Sequence, residues 1–305
     1  MFFSYFARNI TRKIIYHSGP TNSGKTFTAV ERLKQASSGI YCGPLRLLAY
    51  EIYHKLNEAG IPCDLVTGEE RKSGLEEYGH LFPDLDPSTY EVSHIACTAE
   101  ILSLEKLYEV AVIDEIQTIR DELRGWAWTK AILGLQCQEM HICGEATAID
   151  LIDTIVKKCG DTFEVNKYER LSKLIIESDP LGSLDNLQAG DCIVCFNRER
   201  ISALVNEVQK LGHEVAVIYG DLPPLVKITM AEKFNDQNNS CKIMIATDAI
   251  GMGLNLNIRR IIFDKLERFC RSKSGILTKK EISVSSALQI AGRAGRFGTV
   301  TDQVS

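Results

Sequence analysis

No stretch of this 305-residue sequence stays apolar for the 18 or so residues that a membrane-crossing helix requires, so no membrane span is expected. A surplus of positive charge is missing too. Lys and Arg number 35 against 40 Asp and Glu, for a net charge of −5, so the chain as a whole does not attract polyanions. A nucleic-acid site would have to be a local basic groove. Paired metal-binding cysteines are also absent. Of the ten cysteines, only Cys192 and Cys195 have C-x-x-C spacing, and they fall in a predicted strand, where residues three apart face opposite ways. With no second pair and no nearby histidine, the thiols read as free, in a reducing compartment, and not as zinc ligands. Acidic residues are missing from the start of the chain, the first being Glu31. The aromatic and basic residues before Lys13 fit a very short organelle-targeting peptide or a lead-in to the first strand.

Apolar residues make up 45% of the chain and charged residues 25%, the composition of a globular protein with substantial cores, and the length suggests two domains. One stretch organises the rest. Ile14-Ile15-Tyr16 is a short apolar run leading into Gly19-Pro20-Thr21-Asn22-Ser23-Gly24-Lys25-Thr26, and residues 27–36 then favour a helix. This is G-x-x-x-x-G-K-T between a strand and a helix, the context that turns the pattern into a phosphate loop. The glycines would let backbone N–H groups of the loop curl around a β-phosphate, and the helix N-terminus would add a favourable dipole. Lys25 would reach the β- and γ-phosphates, and Thr26 would hold Mg²⁺.

Strands then alternate with helical stretches: Gly39–Cys42, Ile61–Val66, Val92–Cys97, Val110–Ile113 and Met140–Cys143. Continuous apolar runs such as Val110–Ile113 suit a parallel sheet covered on both faces. Lys72–Ser88 reads as a polar surface excursion. The α/β pattern restarts after residues 164–170 with strands Cys192–Phe196, Val215–Tyr219, Lys242–Ala246 and Arg260–Phe263, and no second phosphate loop. Two mostly parallel sheets flanked by helices are expected, in domains 1–166 and 167–305. Asn197 is placed to cap a helix over 198–210. Trp126 and Trp128 read as core or interdomain packing, and Arg268–Lys280 as a solvated hairpin.

Asp114-Glu115 ends the most apolar strand, where ligands of open α/β sheets bind. Asp114 suits Mg²⁺ held through water, and Glu115 suits the base that activates an attacking water. Gln289-Ile290-Ala291-Gly292-Arg293-Ala294-Gly295-Arg296 places two arginines three apart among small residues. That spacing suits one helical face able to approach a phosphoryl group, as an arginine finger does.

On these residues the sequence resembles the superfamily 2 RNA helicases of the DExH type, and within them the mitochondrial degradosome RNA helicases. The resemblance is carried by Gly19–Thr26, Pro44-Leu45-Arg46, Thr98-Ala99-Glu100 and Asp114-Glu115-Ile116-Gln117. It continues through Gly144–Ala148, Cys192–Asn197, Tyr219–Pro224, Ala246–Asn255 and Gln289–Arg296, covering about residues 13–298. Gln117 stands where the typical box has histidine, as it does in this narrower family.

The resemblance implies two RecA-like domains and an ATP-dependent RNA helicase, a nucleoside-triphosphatase that moves along single-stranded RNA, 3′ to 5′, in mitochondrial RNA turnover. Nuclear or cytoplasmic placement is the alternative. Lys25, Asp114, Glu115, Gln289, Arg293 and Arg296 would be catalytic, with Gly251 near the nucleotide. Pro44, Arg46, Thr98, Asn197 and Thr247 would touch the RNA backbone, giving little base specificity. Gln117, Thr147 and Asp248 would couple hydrolysis to motion. ATP and Mg²⁺ are the implied cofactors. Other NTPs should be accepted, since no adenine-reading glutamine motif precedes the phosphate loop. An exoribonuclease of a decay complex is the implied partner. Family members extend beyond both ends of this sequence, so the chain reads as truncated. The alternatives are a catalytically weak RNA- or partner-binding remnant and a DNA-directed translocase.

Overall fold

The apolar run before the phosphate loop forms β1 (Lys13–Ser18), buried at every residue after Lys13. The chain continues as α1 (Lys25–Lys34), β2 (Gly39–Gly43), α2 (Arg46–Glu58), β3 (Cys63–Val66), β4 (Arg71–Lys72), α3 (Gly74–Tyr78) and β5 (His94–Thr98). Next come β6 (Leu107–Ile113), α4 (Gly125–Gly134), β7 (Gln136–Gly144), α5 (Ile149–Cys159) and β8 (Thr162–Lys167). These strands form one sheet in the order β4-β3-β5-β2-β6-β7-β1-β8, parallel throughout except for the β3–β4 pair.

This is a computed structural model, and it describes residues 9–251, 253–254, 256–271 and 277–295. The chain divides between Glu169 and Arg170 into two units. In the first, β2 is buried along its whole length, which requires cover on both faces of the sheet. Helix α1 buries Ala29, Val30 and Leu33, and α5 buries Ile152 and Val156, each set on a single helical stripe. A buried arginine ties the amino end of the sheet together. Arg12 donates to Asp161 Oδ2 at 2.6 Å and to the carbonyls of Ile132 and Leu135 at 2.7 and 3.0 Å. That full set of partners is what makes a fully buried guanidinium tolerable.

The second unit contains β9 (Asp191–Val194), α6 (Arg198–Lys210), β10 (Glu214–Ile218), α7 (Pro224–Asn235), β11 (Cys241–Ala246), β12 (Arg260–Phe263), β13 (Glu267–Arg271), β14 (Leu277–Glu281) and α8 (Val284–Ala291). Strands β10-β11-β9-β12 form a parallel sheet, and β13 pairs antiparallel with β14 as a separate hairpin. Leu187, Ile193, Ile201, Leu204, Val208, Ile243 and Ile245 pack as its core.

Four local expectations change. Lys72–Ser88 is not wholly a surface excursion, because α3 lies within it and Leu75 and Phe82 pack with Val92 in a small core of their own. Trp128 is fully buried but Trp126 is 55% exposed, so Trp126 is not a core residue. Two positions along a helix is about 200°, which sends the two rings to opposite sides. Strand β9 ends at Val194, which leaves Cys195 beyond it. Helix α8 ends at Ala291, so Arg293 lies in the turn after the helix and not on its face.

Candidate functional site

The carboxyl ends of β1, β6 and β7 carry the phosphate loop, Asp114-Glu115 and Gly144–Ala148. Gly24 is in the left-handed region at φ 80°, and this lets the loop turn directly into α1, whose first residue is Lys25. At Gly19 the constraint is space. A Cβ there would sit 2.7 Å from Ser23 Oγ and 2.9 Å from both Cβ and the carbonyl oxygen of Tyr168. Lys25 is buried and its ammonium donates to the Pro20 carbonyl at 3.1 Å, across the loop.

Thr26 Oγ1 donates to Asp114 Oδ1 at 3.1 Å. The same oxygen accepts the Glu115 N–H at 2.9 Å, and Oδ2 accepts the Tyr41 hydroxyl at 2.9 Å. Trp128 Nε1–H donates to the Asp114 carbonyl at 3.0 Å, so the buried Trp of α4 fixes the backbone at this carboxylate. Burial raises the Asp114 pKa to about 6, the neighbouring Glu115 adds to the rise, and Lys25 opposes it. Glu115 itself has φ 51°, a left-handed conformation uncommon for a side-chain-bearing residue. Gln117 Nε2 donates to Glu115 Oε2, and Gln117 Oε1 accepts the Glu145 N–H at 3.3 Å. Gln117 thus links the Asp-Glu pair to the loop carrying Thr147, whose carbonyl accepts from Arg120.

These residues fit a phosphate chain and a divalent cation. Ser23 Oγ is buried with no hydrogen-bond partner among the described residues. Thr26 and Asp114 present two oxygens side by side, the small protein share of ligands that Mg²⁺ accepts when a nucleotide supplies others. No group of three or more His, Cys, Asp or Glu able to hold a metal occurs among the described residues.

A second concave site lies at the ends of β2 and β5. A groove of about 330 Å³ is lined by Pro44, Arg46, Glu69, Thr98, Glu100 and Arg124, among others. Three residues predicted to contact RNA share it: Pro44, Arg46 and Thr98. Arg46 is paired with Glu69, and Arg124 with Glu100 at 2.7 Å. Sequence reading did not pick out Arg124 or Glu69, because neither sits in a recognisable motif.

In the second unit, Asn197 caps α6, accepting the Glu199 N–H at 2.8 Å. Thr247 begins the turn after β11, its hydroxyl accepting the Ala249 N–H at 3.2 Å. Asp248 lies 4.0 Å from Arg268 of the hairpin. Gln289 is on α8. Arg293 is 5% exposed, and its Nε donates to the Gly251 carbonyl at 2.9 Å and its Nη1 to the Leu254 carbonyl at 3.2 Å. Two predicted site residues, Gly251 and Arg293, are thereby joined. Arg296 lies outside the described residues, as do residues 1–8.

Residues 3–168 match the family model described as the DEXQ-box helicase domain of Suv3, and residues 166–298 match the helicase conserved C-terminal domain. The chain is 58% identical over 293 residues to the mitochondrial ATP-dependent RNA helicase SUV3 homolog of Drosophila pseudoobscura pseudoobscura, covering 96% of this chain and 37% of that protein. It is 53% identical to human mitochondrial ATP-dependent RNA helicase SUPV3L1, covering 96% and 36%. It thus spans little more than a third of the length of these curated relatives. Among solved structures it resembles the Escherichia coli DEAH/RHA helicase HrpB (TM-score 0.64, 15% identity, 93% of this chain and 39% of that one). It also resembles S. cerevisiae Dbp5 bound to RNA and ADP BeF3 (TM-score 0.59, 16% identity, 94% and 77%). At such identities the likeness is one of fold. The family match spans more than half of the chain, and the chain belongs to the Suv3 DEXQ-box helicase family.

Proposed function

We propose that this chain is the motor core of a mitochondrial ATP-dependent RNA helicase. Its reaction is hydrolysis of the terminal phosphoanhydride of a nucleoside triphosphate, coupled to 3′-to-5′ movement along RNA in RNA turnover. The observation that carries this reading is the 3.1 Å contact between Thr26 and Asp114 at the end of an intact phosphate loop, with Glu115 as the next residue.

Lys25 and the loop N–H groups would bind the phosphates, and Thr26 and Asp114 would hold Mg²⁺. The ion, when bound, offsets charge that builds on the phosphate oxygens. Glu115 would orient the attacking water and accept its proton, and Gln117 fixes the Glu115 carboxylate for that task. Gln289, Arg293 and Arg296 would supply the remaining polar and positive groups. ATP would be the substrate, and other triphosphates should also be accepted.

RNA would lie along the groove of Pro44, Arg46 and Thr98, with Asn197 and Thr247 touching its backbone in the second unit. Thr147 and Asp248 would couple hydrolysis to movement, and an exoribonuclease would act as partner. The test is ATP hydrolysis by this chain with and without single-stranded RNA. Turnover that rises with RNA supports the coupled motor. Nucleotide binding with turnover indifferent to RNA would favour a binding remnant instead.

A further inference from the structure

A buried polar chain flanks the phosphate loop and has no part in the chemistry described above. His17, in β1 two residues before Gly19, places Nε2 2.7 Å from Nδ1 of His141 on β7, with the ring planes within 15°. His17 Nδ1 lies 2.7 Å from the Tyr168 hydroxyl, and His141 Nε2 lies 2.6 Å from Glu139 Oε1. Glu139 is in turn 3.4 Å from Arg32 Nε on α1. Both rings are almost fully buried, at 1% and 4% exposure. Burial lowers the His17 pKa to about 4, the neighbouring His141 lowers it further, and Glu139 opposes; burial lowers that of His141 as well.

Two neutral rings ending on a carboxylate allow one direction of donation. An ionised carboxylate only accepts, so His141 donates from Nε2 and accepts at Nδ1. His17 then donates from Nε2 and accepts the Tyr168 hydroxyl proton at Nδ1. The chain therefore runs from Tyr168 through β1 and β7 to the helix that leaves the loop. Tyr168 also meets the loop directly. Its N–H donates to the Ser18 carbonyl at 2.8 Å, and its Cβ and carbonyl oxygen occupy the space where a Gly19 Cβ would be. Gly19 is thus confined between Tyr168 and Ser23, the loop residue whose hydroxyl has no partner among the described residues.

We propose that Tyr168, held by His17, His141 and Glu139, is a positioning residue for the phosphate loop: this brace links the strand entering the loop to the helix leaving it and sets the place of Gly19 against Ser23. The inference rests on the nucleotide-binding reading. Tyr168 is also the penultimate residue of the first unit, so the brace ends where the chain passes into the second.

The test uses the full chain and a fluorescent methylanthraniloyl-ADP probe, with ¹⁵N NMR of the histidine rings. Both rings should be neutral and carry their proton on Nε2 at about pH 7. Tyr168→Phe keeps the ring and removes the hydroxyl. It should weaken probe binding roughly five-fold, the effect of one hydrogen bond, with a fall in melting temperature below about 4 °C. Glu139→Gln, at the opposite end, should weaken binding in the same direction and serves if Tyr168→Phe fails to fold.

A change in probe affinity under about two-fold in the folded variants overturns the brace. So does a large fall in melting temperature with unchanged affinity of the folded fraction, which marks a structural role alone. Lys25→Ala separates the two readings. Binding lost in Lys25→Ala but untouched by Tyr168→Phe sinks only the brace. A parent chain that binds no probe sinks the nucleotide reading and the brace with it.

Discussion

Thr26 and Asp114, 88 residues apart in sequence, meet through a 3.1 Å hydrogen bond between hydroxyl and carboxylate. The parallel sheet brings them together, since β1 and β6 are separated only by β7 and both end at the same edge. A cation bound there would draw on both oxygens. Thr26→Ala is therefore expected to raise the Mg²⁺ concentration needed for half-maximal hydrolysis by on the order of ten-fold or more. A Mg²⁺ titration of turnover checks this.

The groove of the first unit makes a paired prediction. Arg46 is held by Glu69, so part of its charge is already answered within the chain. Arg46→Ala should weaken single-stranded RNA binding and reduce the salt slope of log K by about 0.7, the loss of one phosphate contact. Glu69→Gln frees the guanidinium and should tighten binding. Affinity measured across a salt series separates the two.

Arg293 was expected on a helical face as a phosphate-reaching finger, but it is buried beyond the end of α8 and tied to the carbonyls of Gly251 and Leu254. Arg293→Ala should thus lower the melting temperature by about 5 °C or more, besides lowering turnover, because it removes the buried hydrogen bonds that Arg293 donates to the Gly251 and Leu254 carbonyls. An arginine that served only as a finger would lower turnover and leave the melting temperature in place.

Glu109 makes the acid-side prediction. The Ser37 backbone N–H, followed by Arg32 and the Ser37 hydroxyl, lowers its pKa to about 2. A carboxylate with a lowered folded-state pKa adds stability that is present above the unfolded value. That stability is lost as pH falls through the folded value. The chain should lose stability between about pH 4.5 and 2, and Glu109→Gln should flatten that part of the curve. The effect will be small, because the group is partly solvated and screened. Melting temperature against pH is the measurement.

Sequence pattern revealed what local spacing encodes. The phosphate loop, the buried strands and the Asp-Glu pair each lie within one short stretch, so their residue types and periods were readable. Trp126 and Trp128 were read alike, although helical rotation sends one outward. Contacts that depend on tertiary register were out of reach. Nothing near Tyr41 or Trp128 says that either will hold Asp114. A single histidine in an apolar strand gives no hint that His141, 124 residues later, lies beside it. The end of α8 before Arg293 was obscured by glycines and alanines, which suit a helix contact and a turn equally.

The most direct measurement of the central claim is single-turnover ATP hydrolysis by Glu115→Gln beside the parent chain, with nucleotide affinity measured on both. On the proposed reading the variant binds nucleotide like the parent and hydrolyses it at least about 100-fold more slowly, since Glu115, the proposed acceptor of the attacking water's proton, is gone. Hydrolysis near the parent rate, with binding intact, would contradict it.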